Sequence, residues 1–95
     1  MNYNLNYEGY ESNLVISRPL EGGMQYRFKF ENRYGASVVK HDFSYGHRED
    51  LWELAVLLYD DDDWGLTYST PITDDVIGHL TDEEVRDLLK RIKEL

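Results

Sequence analysis

LWELAVLLYDDDDWGLTYST, residues 51–70, holds the longest apolar run of the chain and its only run of four aspartates. A dense apolar run meets four consecutive aspartates, and Gly65, Leu66, Thr67 and Tyr68 follow. The pattern predicts a central strand, an acidic turn and a return strand. A helix competes for the first part. Leu51, Leu54, Ala55, Leu58 and Tyr59 also fall at helical spacing, with Glu49 and Asp50 placed for a helix start. A helix would leave Val56 and Leu57 off its apolar stripe, whereas a strand buried on both sides accepts them. On the strand reading Trp52, Leu54, Val56 and Leu58 share one face, and Leu51, Ala55, Leu57 and Tyr59 share the other with Glu53.

Working outward, Met24, Tyr26, Phe28 and Phe30 alternate with Gln25, Arg27 and Lys29 in the clearest half-buried strand of the chain. Glu31–Gly35 reads as a hairpin loop through Asn32 and Gly35, and Ala36–Lys40 as the returning strand. His41–Asp50 is a longer connection, with Ser44, Tyr45, Gly46 and His47 in an exposed loop. Toward the N-terminus, Tyr3, Leu5 and Tyr7 alternate with asparagines, which predicts a short strand, and residues 1–12 can equally be a loose or edge segment. Leu14 and Ile16 form a second short run, interrupted by Pro19 and Gly22-Gly23.

Beyond the hairpin, Pro71 ends the return strand, and Thr73 with Asp74 and Asp75 predicts a short helical turn stopped by Gly78. Thr81 and Glu84 make the T-x-x-E capping box of a final helix from about Asp82 to the end. Its buried stripe is Val85, Leu88, Leu89, Ile92 and Leu95. Asp82, Glu83 and Glu84 near its start and Lys90, Arg91 and Lys93 near its end complement the helix dipole. The expected fold is α+β: a small antiparallel β-sheet with a C-terminal α-helix packed on one face. One helix covers one face only. Leu51, Leu57 and Tyr59 then need cover from the N-terminal tyrosine segment, from a second copy in a homodimer, or from a partner.

Ninety-five residues make one domain, 1–95, and 41% hydrophobic residues with 14% aromatics supply a core. There is no cysteine, hence no disulfide or thiolate ligand, which suits a reducing cytoplasm. The first residues lack a secretion signal, and no apolar run is long enough to span a bilayer. The net charge of −9 is uneven: residues 1–48 carry five acids and six bases, residues 49–95 fourteen acids and four bases. That field disfavours direct nucleic-acid binding and favours basic protein surfaces.

The aspartate run does not follow the EF-hand pattern, since counting from Asp60 places Trp64 at position five and Pro71 at position twelve. His41, His47 and His79 lack metal spacing. No nucleophile elbow or phosphate-binding glycine pattern occurs, and acid pairs alone do not define a general acid and base. The expectation is therefore no catalytic residue, no cofactor and no metal. Two readings of the acids remain: a solvated, solubilising face, or a surface that imitates the phosphates of nucleic acid in a basic groove. The second reading uses Glu49, Asp50, Asp60, Asp61, Asp62, Asp63 and Trp64 as the partner-binding set. Among the aromatics, Tyr26, Trp52 and Tyr68 read as core, and Tyr34, Tyr45 and Trp64 as contact candidates.

YGASVVKH (34–41), SYG (44–46), LWELAVL (51–57) and TPITDDVIGHLT (70–81) resemble small accessory proteins encoded by bacteriophages and prophages, over about residues 24–90. The resemblance implies a phage protein acting in the bacterial host cytoplasm. With the charge pattern it suggests a noncatalytic inhibitor of a host defence or nucleic-acid-processing protein, of anti-CRISPR or anti-restriction type. The alternative is a self-associating structural or interaction module of the phage with no inhibitory role.

Overall fold

The computed structural model describes residues 1–95, with strands β1 (Leu14–Leu20), β2 (Gly23–Lys29), β3 (Tyr34–Lys40), β4 (Trp52–Asp60), β5 (Asp63–Leu66) and β6 (Ile77–Leu80), then helix α1 (Asp82–Lys93). All pairings are antiparallel in the order β1-β2-β3-β4-β5, and β6 joins the first half of β4 on the side where β5 joins the second half. The molecule is α+β, with α1 on one sheet face. Residues 51–59 resolve in favour of the strand, because β4 is paired on both sides and Leu54, Val56 and Leu57 have no exposed surface.

α1 carries the expected capping box: Glu84 N donates to Thr81 Oγ1 at 3.2 Å, and Thr81 N to Glu84 Oε1 at 3.0 Å. Val85, Leu88, Leu89 and Ile92 are buried against Ala36, Val38, Leu54 and Val56 of the core. The other end of the helix is capped from a distance. Asn32 Nδ2 donates to the carbonyls of Ile92, Lys93 and Leu95 at 2.9–3.2 Å, satisfying groups that a helix end leaves unpaired.

Four local expectations need correction. Tyr3–Tyr7 is not a strand; it is an extended strap beside α1 that buries Leu5 and lays Tyr7 against Tyr26 and Phe28. Its amides bond to side chains, so the period of two reflects burial and not sheet pairing. Pro19 does not interrupt the second run, because β1 is an edge strand and a proline there removes no ladder bond. The expected turn at Thr73–Gly78 is a pair of bends followed by β6, where Gly78 lies against Tyr45. Gly35 sits within β3 rather than in the hairpin loop, and the left-handed residue there is Arg33, at φ 75°.

The second sheet face is covered from within the chain. Leu57 and Tyr59 are 0% and 3% exposed although no helix lies on that side. The sheet curls so that Arg27 of β2 stands over the Trp64 ring of β5 at 5.0 Å, reaching across β3 and β4. Lys29 stands over the Tyr59 ring at 5.2 Å and donates to the Asp61 carbonyl at 2.8 Å. The motive for a homodimer through Leu57 or Tyr59 falls away with this packing, and Leu51 is half-buried.

Candidate functional site

β4 and β5 meet in a two-residue turn, Asp61-Asp62, with Asp60 paired to Asp63 and Asp61 at φ 55°. Aspartate tolerates that left-handed position better than bulkier residues do. The turn thus sets Asp60 and Asp63 on one sheet face, and Trp64 on the other beside Tyr59. Asp60 forms a long, exposed ion pair with Arg33 at 3.6 Å. None of the molecule's three ion pairs involves Asp61, Asp62 or Asp63. Trp64 is 42% exposed. Arg27 Nε and the Tyr59 hydroxyl are buried without a hydrogen-bond partner, so cations over rings hold this end of the curled face.

Glu49 and Asp50 are not part of this surface. They precede β4 while the aspartates lie at its far end and beyond, so roughly 30 Å of strand separates the two groups. That is close to the 33 Å length of the whole molecule. Asp50 also has a structural task. Its Oδ1 accepts from Lys40 Nζ at 2.8 Å and from Asn2 N at 3.1 Å, and Lys40 Nζ donates to the Asn2 carbonyl at 2.7 Å. Lys40 is 2% exposed and lies 4.3 Å over the Trp52 ring. The alternation of Ala36, Val38 and Lys40 already places this cation on the core face, and a charge there needs a partner.

The hydrogen bond from Lys40, then that from the Asn2 amide, holds the Asp50 carboxyl below the ordinary carboxylate range. A folded pKa below the unfolded one gives stability that is complete above the unfolded value of about 3.9 and is lost as pH falls through the folded value. Urea titrations from pH 6 to pH 2 are expected to show an acid loss in the wild type that is smaller in Asp50→Asn. Equal acid sensitivity in both would remove Asp50 from this role.

The carboxylates therefore divide between two ends. Asp42, Glu49, Asp50 and the α1 start with Asp82, Glu83 and Glu84 gather at one, joined by Trp52 Nε1 donating to Asp82 Oδ1 at 2.6 Å. The hairpin end holds Asp60–Asp63, with Lys29 donating to the Asp61 carbonyl and Arg33 beside Asp60. Tyr68, expected in the core, is 44% exposed, and Tyr45 is 62% exposed; Tyr34 packs on the core instead. The missed residues are Arg33, set beside Asp60 by the β3–β4 register, and Lys29 and Arg27, brought near by sheet curvature; neither cause leaves a local sequence mark.

No group of three or more His, Asp or Glu residues lies in reach of a common metal ion, and no helix is long and apolar enough to cross a membrane. No family model, curated protein or solved structure matches the chain.

Proposed function

We propose that this chain is a noncatalytic phage accessory protein that binds and inhibits a bacterial host protein with a basic surface. Host defence and nucleic-acid-processing proteins, the targets of anti-CRISPR and anti-restriction factors, are the class that carries such surfaces. The observation that supports the reading is the β4–β5 hairpin: Asp61, Asp62 and Asp63 stand without ion pairs beside a half-exposed Trp64. Charge steers the encounter, and the aromatic supplies contact area once water is excluded. The distant group around Glu49 and Asp82 adds to the field that draws a cationic partner but does not share its contact.

The test is capture from a bacterial lysate, with the chain and its Asp61→Asn/Asp62→Asn/Asp63→Asn variant compared side by side. Asparagine keeps the size of the side chain and removes the charge. Proteins held by the wild type are expected to bind the variant at least about tenfold more weakly in low salt, with the difference shrinking as salt rises. The same captured proteins at the same strength would reject the hairpin as the contact surface.

A further inference from the structure

We infer that β5 is a docking edge to which an extended, basic segment of the partner protein adds as a further strand. The inference rests on the reading of a basic partner and names how that partner is held. β5 pairs with β4 alone, so its outer side is open. Thr67 N donates to Val56 O at 3.0 Å, which marks Thr67 and Val56 as a hydrogen-bonded pair. Alternation along an antiparallel ladder then makes Gly65–Leu58 and Asp63–Asp60 bonded pairs and leaves Trp64 and Leu66 unbonded to β4. The N–H and C=O groups of Trp64 and Leu66 accordingly point outward. They offer two donors and two acceptors at the spacing of an incoming strand.

The two sheet edges differ in how they are guarded. β1 carries a register shift between Leu14 and Ile16, and Pro19 lacks a donor, both of which discourage strand addition. β5 has neither device. Its four residues are all exposed, with Leu66 at 53% beside Trp64. On the opposite face Leu58 is 43% exposed because Gly65 across from it has no side chain, and a Cβ at Gly65 would meet nothing within 4 Å.

This leaves an open notch of about 370 Å³ bounded by Arg33, Leu58, Asp60, Asp63 and Gly65. It is apolar at Leu58 and acidic at its rim, a match for the stem and head of a lysine or arginine. The 3.6 Å tie between Arg33 and Asp60, exposed on both sides, is the kind of ion pair an incoming cation displaces at little cost. Charge thus selects a basic strand rather than a second copy of β5, which would bring its own aspartates.

The test uses the isotopically labelled full chain with a capped peptide of alternating lysine and valine, followed by amide exchange and chemical shifts. Binding is expected to slow exchange at Trp64 and Leu66 at least tenfold, to leave β1 unchanged, and to weaken with salt. Leu66→Pro, which removes one outward donor and no bond to β4, and methylation of alternate peptide amides should each abolish the protection. The methylated peptide serves even if Leu66→Pro does not fold. Salt-sensitive binding with Trp64 and Leu66 still unprotected, or equal binding by the methylated peptide, overturns strand addition and leaves the basic-partner reading standing. Equal protection by an alternating glutamate and valine peptide, insensitive to salt, overturns the basic partner itself. Protection that grows with protein concentration alone makes a second copy the occupant and overturns the inference, as does the absence of any binding at millimolar peptide.

Discussion

Trp52→Ala is expected to remove a large share of the protein's stability. Trp52 is the largest fully buried side chain, 1% exposed, and three separate structures lean on it. Its ring is the platform for Lys40 at 4.3 Å, its edge meets Tyr26, and its Nε1 holds the first carboxylate of α1. Truncating a buried tryptophan to alanine costs about 3–5 kcal/mol through lost burial and the cavity left behind. A domain of this size has a total stability of about 5–15 kcal/mol. The substitution also leaves Lys40 buried beside a void, which a cation tolerates less well than an apolar group does. Trp64→Ala is the control, since that ring is half exposed and its interaction with Arg27 is worth about 0.5–1 kcal/mol. Urea denaturation followed by far-ultraviolet circular dichroism separates the two. A Trp52→Ala loss as small as that of Trp64→Ala would show that the core does not depend on this ring.

Gly35→Ala is expected to produce the second-largest effect, about 3 kcal/mol, at the upper end of the usual cost of overpacking. A Cβ there would collide with the Phe28 carbonyl oxygen and fall 2.8 Å from Tyr59 Cε2. The Tyr59 ring, 3% exposed, lies over this position because nothing projects from it. Adding a methyl group must either part β2 from β3 or lift Tyr59. The second response displaces Lys29, which stands over that ring and holds the Asp61 carbonyl, so damage in the sheet should reach the acidic turn. Hydrogen exchange is therefore expected to rise at Asp61 and Asp62 as well as along β3. Gly65→Ala, where the new Cβ meets nothing within 4 Å, should leave stability within about 0.5 kcal/mol of the wild type. Equal stability of the two variants would show that the sheet relaxes around Gly35 at no cost.

These contrasts mark where local pattern is informative. Two tryptophans and two glycines have opposite roles, and only for the tryptophans does the sequence say which is which. Trp52 alternates with Leu54 and Val56, whereas Trp64 follows an acidic turn. Gly35 reads as a turn glycine because it follows Asn32, yet the turn bends at Arg33 and the glycine serves the close approach of Tyr59. The Thr73 bend fails in the same way: a threonine before two aspartates is a good helix start, but residues 77–80 find a partner in β4 and pair with it. Tyr3, Leu5 and Tyr7 turn inward while the asparagines between them stay exposed, and the edge strand β1, which could have accepted them, stays unpaired on its outer side.

Local pattern carries the α+β class, the preference for β4 as a strand buried on both faces, the acidic hairpin turn and the capped, amphipathic α1. Each of these depends on residues within a few positions of one another, so periodicity and capping chemistry suffice. Which charges find a partner is set only once distant segments pack together. Lys40 pairs with Asp50 beneath the strap, Asp82 is held by Trp52, and Arg33 reaches Asp60, while Asp61–Asp63 have no ion-pair partner. Those partnerships join residues from 10 to 30 positions apart. They depend on strand register and on how far the sheet curls, quantities set by the packing of the whole core and not by any segment of it.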